Sequence, residues 1–189
     1  MKIYLNINFK DIEYSIKDIA QDFHNEALRL LPKNNYVGFS ITQGNIYRKK
    51  EWPLKNVIEM CKKLKLNNKT PVFFIEKKNT ILKDQIIKLI PDSLFPEHES
   101  NISSPALVTC LGKRLDFAIS IDNGIMHMLS LSKVPMVILF GPTKSEKFAP
   151  KYENIIVLDS KKLKNTSDIS TINVEDVLQV LKLTPNFLY

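Results

Sequence analysis

Hydrophobic and polar positions along this chain follow two different periods, and the two alternate. Residues 36–41, 71–75, 117–121, 134–140 and 155–158 are short, nearly uninterrupted apolar runs. Runs of that length with no polar face predict strands buried on both sides of a sheet. Between them, apolar residues recur every three or four positions. After Pro53, the residues Leu54, Val57, Ile58, Met60, Cys61 and Leu64 form one inner face. A helix is predicted there, and Pro53 suits its first turn because the missing N–H would be unpaired anyway.

Further helices are predicted over residues 81–90, from the cap Ser104 through Leu107, Val108 and Leu111 to Gly112, and from Gly124 or Ile125 to Leu131. A closing helix is capped by Asn173 and turns Val174, Val177, Leu178 and Leu181 inward. Ahead of this rhythm, Ile12, Ile16, Ile19, Phe23, Ala27 and Leu30 predict a helix that Asp11 starts and Pro32 ends. Residues 1–10 alternate apolar and polar side chains, as a short strand does. Residues 93–95 are expected to add one more strand, and residues 161–170 form the most loop-like stretch.

Strands alternating with helices imply right-handed βαβ crossovers. The expected fold is therefore α/β, a Rossmann-like doubly wound parallel sheet with helices on both faces. The expected division is a linker helix, or remnant of a preceding domain, over 1–32 and the α/β domain proper over 33–189.

Composition adds three constraints. No stretch approaches the roughly 18 apolar residues of a membrane span, and the start of the chain lacks a signal peptide's apolar run, so a cytoplasmic protein is expected. Cys61 and Cys110 lie inside apolar helical patterns without a second cysteine or histidine at ligand spacing, which predicts buried free thiols and no metal centre. Lys plus Arg number 27 against 20 Asp plus Glu, a net charge of +7. That excess favours anionic partners such as nucleotides or phosphorylated glycans, although many of the lysines are spread over helix faces as a solvating background. No basic stripe interleaved with aromatics appears, so nucleic acid is not expected.

In an open parallel sheet, ligands bind where strands end and helices begin. Four such places carry candidate chemistry. After residue 121 come Asp122, Asn123 and Gly124, then His127 one turn into the next helix. A helix N-terminus there offers unpaired N–H groups and the positive end of the dipole to a phosphate. Read from spacing alone, the same residues also serve as an ordinary turn and cap. Phe140-Gly141-Pro142-Thr143 follows the next strand and turns sharply, leaving the Gly141 and Thr143 N–H groups and the Thr143 hydroxyl available. Arg48, Lys49 and Lys50 stand beside the chain's single Trp, at position 52, in the loop after the strand at 36–41. Glu76, directly after the strand at 71–75, could accept hydrogen bonds from ribose hydroxyls.

The order of these segments resembles the C-terminal, donor-binding domain of glycosyltransferase family 9, the heptosyltransferase family of lipopolysaccharide core synthesis. The matching features are a Lys two residues before Trp-Pro (Lys50, Trp52, Pro53), a strand-end Glu (Glu76), an Asp-x-Gly-x-x-His segment (Asp122, Gly124, His127) and Phe-Gly-Pro-Thr at 140–143. Asn123 stands where the family has Ser or Thr, losing a hydroxyl but keeping the ability to cap. The resemblance runs over roughly residues 36–158 and more loosely 174–181.

It implies the C-terminal half of a GT-B fold and transfer of a sugar from an ADP-heptose-like nucleotide donor to a lipopolysaccharide-type, anionic glycolipid acceptor. No cofactor or metal is implied, since the nucleotide sugar is itself a substrate. Lys50 would contact a phosphate and Glu76 the ribose. Asp122 would lie near the transferred sugar, and Gly124 would meet the diphosphate with His127 in support. Gly141 and Thr143 complete the implied substrate-binding set. The family's acceptor domain, which carries the carboxylate that activates the acceptor, is expected to be missing here and to be supplied by a partner chain. Asp122 is the nearest candidate for a catalytic residue, and no general base is assigned. A non-catalytic nucleotide-sugar-binding module or regulatory partner stays open as the alternative, as does peripheral association with the inner face of the membrane.

Overall fold

The computed structural model describes residues 16–44 and 46–183. The expected strand at 1–10, the cap Asp11 and Ile12 lie outside the described residues. The five apolar runs become β1 (Tyr36–Ser40), β2 (Thr70–Phe73), β3 (Phe117–Ile121), β4 (Met136–Phe140) and β5 (Ile155–Asp159). All pair in parallel, in the order β2-β1-β3-β4-β5. Every residue of β1, β3 and β4 is buried, which explains why these strands show no polar alternation.

Helices cover both faces. Those on one side are α2 (Leu54–Lys65), α3 (Thr80–Leu89) and α9 (Val174–Leu183), whose Val57, Ile86 and Val177 meet Val37, Phe39 and Ile119 of the sheet. Opposite lie α1 (Gln21–Leu30), α5 (Pro105–Gly112) and α6 (Gly124–Leu131), whose Ala27, Leu111 and Met126 meet Ala118, Met136 and Ile138. Short helices α4 (Pro96–Glu99), α7 (Ser145–Phe148) and α8 (Ser160–Lys164) fill the connections. The doubly wound α/β fold read from the hydrophobic pattern is the one observed.

Several local expectations hold in detail. The side chain of Ser104 accepts from the Ala106 N–H and starts α5. Asn173 Oδ1 accepts from the Asp176 N–H while Asp176 Oδ2 accepts from the Asn173 N–H, a reciprocal cap on α9. Both cysteines are free and buried, and burial pushes both thiols away from the reactive thiolate. Of the segment up to residue 32, the described part is a 3₁₀ turn (Ile16–Asp18) and α1, with Ala27 and Leu31 buried in the same layer as α5.

Two segments differ from expectation. Residues 93–95 contribute only a single parallel bridge, between Leu94 and Val72. The Phe95 ring stacks on Phe73, and Pro96, which has no N–H for a ladder, opens α4 instead. Residues 161–170 are not loop: they hold most of α8 and the start of a 3₁₀ turn (Ile169–Thr171). Asp159 caps α8 by accepting from the Lys161 N–H, and Ile169 is buried against the sheet edge. Lysine-rich composition hid a segment that tertiary contacts hold in place.

Candidate functional site

β1 and β3 are neighbours, with Ser40 opposite Ser120. The chain leaves β1 toward α2 on one face and leaves β3 toward α6 on the other. Neighbouring strands whose connections diverge in this way open a crevice at their C-terminal ends, the usual ligand position in such sheets. Gln43 and Gly44 form one lip, and Asp122, Asn123 and Gly124 the other.

Asn123 joins the lips. Its Oδ1 accepts from the Met126 N–H at 2.9 Å and caps α6. Its Nδ2 donates to Ser40 Oγ at 2.8 Å and to the Thr42 carbonyl at 2.9 Å. The amide supplies a cap acceptor and cross-lip donors at once, which a serine hydroxyl with its single proton could not match.

Lys50 comes from the other side of the crevice. Its neighbour Lys49 takes a left-handed backbone (φ 48°), which turns the chain inward after the 3₁₀ turn Ile46–Arg48. Such a conformation costs an ordinary residue about 1–2 kcal/mol. The turn is held by Gln43 Oε1, which accepts from the Lys50 N–H at 2.8 Å, and by Trp52, whose buried indole donates to the Ile172 carbonyl at 2.7 Å. Trp52 therefore pins the start of α2 to the approach of α9 and sets the position of Lys50 two residues earlier. The Lys50 ammonium donates to Asp122 Oδ2 at 2.5 Å and to the Asp122 carbonyl at 3.2 Å. Both side chains of this pair are about nine-tenths buried. Removing one partner of such a pair leaves the other charge buried and unpaired, at a cost of about 3–5 kcal/mol.

Two clefts meet at Gly124. One, of about 320 Å³, is lined by Arg48, Lys50, Asp122 and Asn123 together with Gln43 and Gly44. It combines two cations with the N-terminus of α6, so it is electrostatically suited to phosphate. The second, of about 250 Å³, has Glu76 at its rim and apolar walls from Phe74, Ile75, Ile125 and Met128. Its remaining lining includes Thr42 and Glu97. Glu76 is exposed, with the Lys78 ammonium 3.2 Å away. Among the described residues no group of three or more His, Cys, Asp or Glu side chains is placed to hold a metal ion.

The crevice thus gathers Lys50, Asp122, Asn123 and Gly124 around the first cleft and Glu76 at the second. His127 lies exposed on α6 and lines neither cleft. Gly141 is buried beneath the 3₁₀ turn at 169–171: a Cβ there would come within 2.8 Å of Ile169 Cβ and 3.0 Å of the Ser167 carbonyl. Thr143 lines neither cleft; its Oγ1 is buried with no hydrogen-bond partner among the described residues, and Lys161 Nζ holds the Pro142 and Thr143 carbonyls. Glu97 and Met128 were not legible as site residues from the sequence. Pro96 at a helix start was the only signal near Glu97, and Met128 reads simply as a core position.

The sequence profile of Glycosyltransferase family 9 (heptosyltransferase) matches residues 4–178. The chain belongs to glycosyltransferase family 9. Solved structures with the same fold include a family 9 glycosyltransferase from Veillonella parvula, at a TM-score of 0.74 and 18% identity over 88% of this chain. The E. coli ADP-heptose lipopolysaccharide heptosyltransferase II follows at 0.70 and 16%, also over 88%. The E. coli heptosyltransferase WaaC, solved with ADP, matches at 0.66 and 16% over 83%. This family 9 chain spans about half the length of those proteins, 52%, 52% and 48% respectively. The comparison with curated proteins returns no match. Among the described residues no helix is long and apolar enough to cross a membrane.

Proposed function

We propose that this chain is the donor-binding half of a heptosyltransferase-like enzyme, taking an ADP-heptose-like nucleotide sugar. The observation that carries this reading is the meeting of the two clefts at Gly124. A cationic, helix-capped compartment adjoins an apolar one with a carboxylate at its rim, in the order diphosphate, ribose, base. WaaC is solved with ADP and with ADP-2-deoxy-2-fluoro heptose, which supports a nucleotide-sugar ligand here.

In the reaction an acceptor hydroxyl attacks the anomeric carbon, the bond from that carbon to the β-phosphate oxygen breaks, and the hydroxyl proton passes to a base. Lys50, Arg48 and the N–H groups at the start of α6 offset the charge that develops on the departing nucleoside diphosphate. Lys50 keeps its contact with Asp122 and turns its third N–H to phosphate, while Asp122 offers Oδ1 to the transferred sugar. Glu76 accepts from the ribose hydroxyls. His127, Gly141 and Thr143 line neither cleft, so no contact with the donor is assigned to them. The nucleotide sugar is a substrate, so the chain uses no cofactor of its own. The acceptor is an anionic, lipopolysaccharide-type glycolipid at the cytoplasmic face of the membrane, and a separate acceptor domain supplies the base.

Calorimetric titration with ADP, UDP and GDP tests the donor site. ADP should bind, and Lys50→Ala should weaken it about tenfold or more, the loss of one charge-assisted contact. Absence of binding by every nucleoside diphosphate at millimolar concentration would sink the reading. Sugar transfer from ADP-heptose to a phosphorylated core acceptor, with an acceptor-domain protein added, tests the catalytic half of the proposal.

A further inference from the structure

One carboxylate of the apolar cleft has no place in the account so far. Asn123 holds the Thr42 main-chain carbonyl and Glu76 is assigned to the ribose, but Glu97 is a second carboxylate lining the same cleft. Its position is fixed by the sheet. Leu94 bridges Val72 in parallel, with the Phe73 N–H donating to the Leu94 carbonyl at 2.8 Å and the Leu94 N–H donating to the Pro71 carbonyl at 2.9 Å. The chain at Leu94 therefore runs beside Val72 in the same direction, and α4, which begins two residues later, carries Glu97 to the cleft that Ile75 and Glu76 line. The rings of Phe39, Phe73 and Phe95 stack at 5.1 and 5.5 Å, which anchors the start of α4 to the sheet. Ser103 Oγ donates to Glu97 Oε1 at 3.2 Å, while Oε2 carries no hydrogen bond among the described residues.

A ligand scale follows from α6. Four residues separate Gly124 from Met128, which is about 6 Å of helix at 1.5 Å per residue. A nucleotide with its phosphates at Gly124 lays its base one turn further along, between Ile125 and Met128 on one side and Phe74 and Ile75 on the other. An ionised carboxylate can only accept hydrogen bonds, so Glu97 selects for a donor on the base edge. We propose that Glu97 is the specificity residue for the base, accepting from the exocyclic 6-amino group of adenine. The proposal rests on the donor-site reading above and adds to it the residue that discriminates.

The test compares ADP with the otherwise identical diphosphate of 6-unsubstituted purine riboside, which lacks only the amino group. Glu97 carries the same sign of charge as the phosphates, so its removal can strengthen every nucleotide, and the readout is the ratio of the two affinities. Wild-type chain should favour ADP by about tenfold, the worth of one hydrogen bond to a charged group. Glu97→Ala should bring the ratio within about twofold, as expected when residue and ligand group are directly coupled. Glu97→Gln, which keeps the shape and an acceptor oxygen, should retain part of the preference, separating a lost contact from a disturbed α4. Equal binding of the two nucleotides by the wild type, or an undiminished ratio in Glu97→Ala, overturns the proposal while leaving the donor site standing. Binding of neither nucleotide removes the donor site and this role with it.

Discussion

A Cβ built on Gly124 meets nothing within 4 Å, whereas one on Gly141 presses on Ile169 Cβ and on the backbone of 167–169. Neither glycine has a positive φ, so conformational freedom explains neither. Gly141 is required by the protein's own packing. Gly124 is not, and the space it leaves lies over the N-terminus of α6, where both clefts meet. The two substitutions should therefore part company. Gly124→Ala should leave the chain as stable, or up to about 1 kcal/mol more stable, yet weaken ADP about tenfold by crowding the phosphate off the N–H groups. Gly141→Ala should lose about 1–3 kcal/mol of stability through overpacking against a backbone that cannot yield. Urea unfolding beside calorimetric titration measures both. A Gly124→Ala chain that binds ADP like the wild type would remove the phosphates from that helix end.

Among the elements, the strands were the most legible because burial on both faces leaves an unmixed apolar run; Asp122 and Asn123 were legible because they sit at a strand end, and Lys50 because it stands two residues before Trp52-Pro53. What stayed hidden depends on contacts between distant segments. Residues 93–95 look like a strand, but Phe95 stacks on Phe73 and the pairing stops at one bridge. Residues 161–170 look like loop, but Ile169 covers Gly141. Glu97 became a site residue only through that shortened strand. A comparable long-range tie holds α1. The Ser100 hydroxyl donates to Glu26 Oε1 at 2.6 Å, and Arg29 bonds both Glu26 and the Glu99 carbonyl. The Arg29 guanidinium first, and the Ser100 hydroxyl second, hold the Glu26 carboxyl at about 2, against an ordinary 4.5. The folded state thus favours the ionised form, so this stabilisation is complete above about 4.5 and fades as pH falls toward about 2. The urea midpoint should drop across that window in the wild type and less steeply in Glu26→Gln. Parallel pH profiles for the two chains would mean the tie contributes nothing to stability.

At the scale of the molecule, the excess of seven positive charges offers a competing account of any nucleotide binding, because diffuse charge attracts phosphates without a site. The two accounts differ in the unfolded state. Unfolded chain carries the same charge but not the juxtaposition of Lys50 with Gly124, which the fold alone creates by setting β1 beside β3. A ligand of the crevice binds only the folded form and must stabilise it. ADP at 100 times its dissociation constant should add about 2.7 kcal/mol. For a domain of this size that raises Tm by about 5–10 °C. The crevice lies between strands that both helical layers cover, so the shift should appear in the single cooperative transition rather than in a local one. Scanning calorimetry with and without ADP measures it, and Lys50→Ala at the same ADP concentration should show about half that shift or less. A Tm that ADP leaves unmoved, or moves equally in both chains, would assign the binding to diffuse charge and not to the crevice.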